Sequence, residues 1–97
     1  MPWTVKVSSR VDKNLRTFPQ KVRDAYAALA REIELYGPVR GNWPNYGKLG
    51  TIRHHCHLRK GKPAYVAGWE EAAGEVRIAE VIYVGTHEKA PYKISGK

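Results

Sequence analysis

Ninety-seven residues make a single domain with a modest core, and a hydrophobic fraction of 42% is ordinary for a folded chain. Nothing approaches the roughly 18 consecutive apolar residues of a membrane span, and Met1–Val7 lacks an apolar run of signal-peptide length. The formal charge of +8 calls for an anionic partner: nucleic acid, an acidic protein or an anionic membrane surface.

In chain order, Trp3 to Ser8 alternates and predicts a first strand. "SSRVDKNLRTF" predicts a short helix with Ser9 as a possible cap and Val11 and Leu15 on one face. Pro19 stands where a helix can begin. From there Val22, Tyr26, Leu29, Ile33 and Tyr36 recur at steps of three and four, one helical stripe. Gly37-Pro38 ends it.

The stretch "GPVRGNWPNYGKLG", 37 to 50, reads as a loop rich in Gly, Pro and Asn. Three strands follow: Thr51–Arg59, Ala64–Glu70 and Val76–Val84, joined by short turns at 60–63 and 72–75. The predicted architecture is α+β: an N-terminal strand, a helical hairpin, then a three-stranded antiparallel meander. Together they form a four-stranded sheet with the hairpin on one face and the other face open. Residues 1–97 form one domain, with Lys93 to Lys97 a loose tail. One cysteine, Cys56, makes no internal disulfide, which suits a reducing cytoplasm.

Charge is unevenly spread. From Gly37 to Trp69 there is no Asp or Glu, while Arg40, Lys48, Arg53, Arg59, Lys60 and Lys62 lie there. Such a segment reads as a surface for a polyanion, or more plainly as a solvated basic face. Within it, "TIRHHCHLRKGK" holds three histidines. Alternation along a strand sends Ile52, His54, Cys56 and Leu58 toward the helices. It sends Arg53, His55, His57 and Arg59 to the open face. His55 and His57 alone do not make a metal site: zinc takes three or four ligands, Cys56 faces away, and only His87 remains. No metal is expected. His54 is most simply a half-buried structural histidine and Cys56 a small core residue. Trp43 reads as a loop anchor, Lys48 as an RNA or ribosome contact, and at least one of Tyr65 and Trp69 as core.

"GNWPNYGKLG", "HHCHLRKGKPAYVAGWE" and "EVIYVGTHEKAPY" resemble the RelE/ParE toxin superfamily, nearest its HigB-like/RelE-like branch, over Trp3 to Tyr92. The resemblance implies the toxin of a type II toxin–antitoxin system, with a cognate antitoxin as partner. It implies a metal-independent, cofactor-free endoribonuclease that cleaves mRNA on the ribosome and inhibits translation. The family's basic strand positions fall on His55, His57 and Arg59. Its residue after the last glycine turn falls on His87, and its C-terminal tyrosine on Tyr92. Many relatives carry an arginine early in the next strand, where this chain has Ala64 and Tyr65; Arg59, Lys60 or Lys62 is left to supply that charge.

Cleavage without a metal uses the neighbouring 2′-hydroxyl as nucleophile. One group takes its proton, another protonates the leaving 5′-oxygen, and cations hold the phosphate. Histidine, with an ordinary pKa of about 6.5, suits either proton role, and Arg59 suits the phosphate. The expected catalytic set is His55, His57, His87, Tyr92 and Arg59. The expected RNA and ribosome contacts are Arg40, Lys48, Arg53, Lys60 and Lys62. The ParE branch shares the fold and inhibits gyrase without cutting RNA, so a non-catalytic gyrase inhibitor or a basic RNA-binding module stands as the alternative.

Overall fold

The computed structural model describes residues 3–59, 64–72 and 78–86, and the side chains of all these except 78–82. The elements run β1 (Thr4–Val7), α1 (Ser9–Leu15), α2 (Gln20–Tyr36), β2 (Gly47–Leu49), β3 (Arg53–Arg59), β4 (Tyr65–Ala72) and β5 (Ile78–Thr86). The four expected strands are all present. A fifth, the three-residue β2, forms inside the predicted loop and gives the sheet order β1-β5-β4-β3-β2. β3, β4 and β5 are the antiparallel meander, and β1 lies parallel to β5, with Thr4 opposite Ile78 and Val7 opposite Val81.

Local chemistry sets the helix ends. Ser8, one residue before the expected cap, accepts the Val11 amide at 3.2 Å, satisfying a donor the first turn would otherwise leave open. Gly37 ends α2 at φ +99 with its N–H on Ile33 O. A side chain there would be strained and would meet Trp3 Nε1 at 3.0 Å. The apolar stripe is buried at Val22, Leu29 and Ile33 and half-buried at Tyr26. Its last member departs from expectation: Tyr36 is 71% exposed, with the Arg40 guanidinium 5.5 Å from its ring centre.

α1 packs on β5, and α2 on β3 and β1. The core between helices and sheet comprises Val11, Leu15, Val22, Leu29, Ile33, Cys56, Leu58, Ala67, Trp69 and Val84. Phe18 and Tyr65 meet at its margin with ring centres 5.3 Å apart. Cys56 is fully buried, and burial pushes its thiol up to about 12. Burial likewise holds the half-buried Tyr26 phenol at about 12.

The expectation of an open second face is corrected. His55 is 1% exposed and His57 3%, and Val66, in register with His57, is fully buried. The central strands are therefore covered on both sides, and β3 shows a continuous buried run from His54 to Leu58 instead of alternation. Among the described residues, no helix is long and apolar enough to cross a membrane.

Candidate functional site

The strand register assembles the face turned away from the helices. Gly47, His55, Gly68 and Tyr83 form one row across β2, β3, β4 and β5. His57, Val66 and Gly85 form the next. The backbone N–H of His57 donates to Pro44 O at 2.8 Å, which carries the pairing of β3 beyond the end of β2. Tyr83 was not singled out from sequence. Its hydroxyl donates to Thr86 O at 2.8 Å, and its ring lies so close over Gly85 that a β-carbon there would stand 2.5 Å from the phenol oxygen. Glycine inside the strands "AGW" and "YVG" was the available signal, since it marks a close approach.

Two irregularities shape the ends of this face. Pairing slips between His57 and Arg59, so that Leu58 and Arg59 together oppose Tyr65, and a second slip falls between Gly68 and Trp69. A bulge redirects the side chain beyond it, and Arg59 stands exposed just past the first.

The basic residues divide. Arg53, on the face of His55, is held by Glu70, its cross-strand neighbour, with Nε 2.5 Å from the carboxylate. Arg40 pairs with Glu32 at 3.2 Å, its side chain only 15% exposed. Lys48 is exposed but sits opposite His54, so it belongs to the other face from His55 and His57. The segment that lacks acids in sequence is thus supplied with them in space by Glu32, Glu70 and Glu71. His87, Tyr92, Lys60, Lys62 and the 93–97 tail lie outside the described residues.

On the helix side, His54 is more than a packed histidine. It is fully buried, with Nδ1 2.6 Å from Tyr46 Oη and Nε2 2.5 Å from Glu71 Oε2. A carboxylate only accepts, so Nε2 carries the proton and Nδ1 accepts from the tyrosine. The His54 ring stacks on Trp69 at 5.7 Å and 6°, and Trp69 Nε1 donates to Pro38 O. Glu32 Oε1 accepts from Arg40, Asn42 and Trp43 together. The Asn42 bond most of all, with those of Trp43 and Arg40, holds the Glu32 carboxyl below its usual range. Trp43 anchors the loop, as expected. Among the described residues no three metal-type ligands gather.

Burial lowers the pKa of His54, against the opposing pull of Glu71. With the folded value below the unfolded one of about 6.5, the unfolded chain binds the extra proton in the window between them. Stability contributed by neutral His54 is therefore full above about pH 6.5 and is lost as pH falls through the folded value. Thermal melts from pH 7.5 down to 5 should show Tm falling in the wild type, with a shallower fall in His54→Gln over the same window. Parallel curves would place the sensitive group elsewhere.

A scan against protein-family models gives no match, and a search of curated proteins gives none. Among solved structures, the chain is similar to a double arginine-to-alanine mutant of the E. coli toxin RelE in its free state. The TM-score is 0.67 with 22% identity, covering 91% of this chain and 86% of that one. The likeness extends over nearly the whole chain, which has the RelE fold.

Proposed function

We propose that this chain is the toxin of a type II toxin–antitoxin system, acting in the cytoplasm as a ribosome-dependent mRNA endoribonuclease. The observation that carries the reading is the RelE fold with two imidazoles, His55 and His57, adjacent on the β3 face turned from the helices. Basic groups that exchange protons near neutrality suit cleavage through the RNA 2′-hydroxyl without a metal or cofactor. In this reading His55 or His57 and His87 take the acid and base roles, Arg59 holds the phosphate, and Tyr92 stacks on a base or hydrogen-bonds the phosphate. The strand histidines are covered in the free protein, so the reading requires that face to open when RNA binds. Lys48, Lys60 and Lys62 contact RNA or ribosome, Arg40 and Arg53 do so only on leaving their acid partners, and a cognate antitoxin neutralises the toxin.

Burial of His55 and His57 is the observation that favours the second reading, a non-catalytic gyrase inhibitor of ParE type or a basic RNA-binding module. A ribosome-programmed cleavage assay, with a gyrase supercoiling assay beside it, separates the two. Intact mRNA together with stalled gyrase would overturn the nuclease reading.

Charge gives a further check. Arg59→Ala/Lys62→Ala should weaken ribosome binding and flatten its salt dependence, by a slope of about 0.7 to 0.9 for each phosphate no longer neutralised. Binding titrations between about 50 and 200 mM salt read this directly, and an unchanged slope would move the binding face to other residues.

A further inference from the structure

We propose that His54 is a positioning residue: its imidazole, clasped between Tyr46 and Glu71, sets segment 44–47 against β3 and thereby the placement of His55 and His57. The inference rests on the nuclease reading for its activity arm alone.

The connections are direct. Tyr46 sits between Pro44, whose carbonyl takes the His57 amide at 2.8 Å, and Gly47, which lies opposite His55. Its hydroxyl is bonded to His54 at 2.6 Å, and His54 reaches across to Glu71 near the end of β4 at 2.5 Å. One side chain thus ties the loop that leads into β2, the strand β3 and the strand β4. It does so from the face opposite the two histidines, beside the backbone bonds that fix them. The Tyr46 ring also lies 5.9 Å from that of His54, and both rings meet Trp69, at 6.2 and 5.7 Å. A hydrogen-bonded chain centred on a fully buried, fully satisfied imidazole specifies one arrangement.

The groups facing His54 decide how protonation acts on it: Tyr46 from the loop, Lys48 from β2, and Glu71 and Trp69 from β4. From α2, Glu32 holds the same loop through Arg40, Asn42 and Trp43. A proton added at Nδ1 turns that nitrogen into a donor, so Tyr46 must turn its own proton away and accept. The clasp then reverses at its loop end.

The test uses full-length protein with 15N-labelled histidine, read by imidazole NMR and by ribosome-programmed cleavage. Tyr46→Phe removes one oxygen and keeps the ring. It should shift the His55 and His57 resonances and lower kcat by up to ~10²-fold, the scale of a misplaced catalytic group. KM should stay within about twofold, because the loss falls on the transition state. His54→Ala should behave alike. His54→Gln, whose amide can both accept from Tyr46 and donate to Glu71, should restore most of kcat. A folded Tyr46→Phe with unmoved His55 and His57 resonances would overturn the proposal, as would equal loss in His54→Gln and His54→Ala. If His54→Ala does not fold, Tyr46→Phe decides. If the wild type cuts no RNA, the nuclease reading falls, and the resonance shifts still decide the clasp.

Discussion

Trp69→Ala should cost about 3–5 kcal/mol, the usual range for deleting a large aromatic from a packed core. Trp69 is fully buried, stacks on His54, and gives its indole N–H to Pro38 O at 2.9 Å. Its removal leaves a cavity beneath the helices and a carbonyl without that donor. Domains of this size are stable by about 5–15 kcal/mol, so the variant loses a large share of the total, with a Tm lower by more than ~10 °C. Trp69→Phe keeps a ring against His54 and loses the donor, and its cost should be smaller, about 1–3 kcal/mol. Urea titration followed by circular dichroism measures both. A Trp69→Ala protein within about 1 kcal/mol of wild type would mean that the cavity collapses or that the ring is not a core element.

The largest expected effect on activity is at His87. If, as proposed, His87 is a proton-transfer group, His87→Gln should keep fold and ribosome binding and lose mRNA cleavage by about 10²–10⁴-fold, the usual worth of general acid–base help. His55→Ala and His57→Ala should divide unequally, since in the proposed reading one moves protons and its neighbour holds phosphate. Both are buried, so each also leaves a hole, and rates must be compared at equal folded fraction. Tyr92→Phe tells stacking from hydrogen bonding: stacking survives the change and a phenolic donor does not. The measurement is ribosome-programmed cleavage, with growth arrest on expression in cells as a check. Full activity in His87→Gln and in both strand variants would sink the acid–base assignment.

Much of the fold was legible because its signals are local. The stripe through Val22, Leu29 and Ile33 and the Gly37 stop can each be read within a few residues, whereas residues 60–63 and 73–75 of the expected turns lie outside the described residues. Cys56, Trp43 and Trp69 fell where residue type placed them. What was not legible is pairing at a distance. β2 is three residues inside a Gly- and Pro-rich stretch and exists because β3 offers an edge to it. Arg53 and Arg40 stand in an acid-free run and read from sequence as cations open to a polyanion. Strand register and loop folding bring Glu70 and Glu32 to them. Alternation gave the side of the sheet for His54, His55 and His57 but not how deeply each lies, because depth depends on what packs above. His54 passed for plain packing, since neither Tyr46 nor Glu71 is near it along the chain.

The parallel pairing of β1 with β5 bears on how the protein is born. Synthesis proceeds from the N-terminus, so Thr4–Val7 emerges long before Ile78–Val81 and waits for it before it can dock. The loop closed by that contact spans most of the chain, and its entropy must be met before the pairing contributes anything. The sheet therefore cannot be completed on a nascent chain that stops short of residue 78, which would carry two unmatched strand edges, a recognised route to aggregation. A protein built this way completes its sheet only after Ile78–Val81 has been made, and a copy ended before that strand should be cleared as misfolded material, never released as a working fragment.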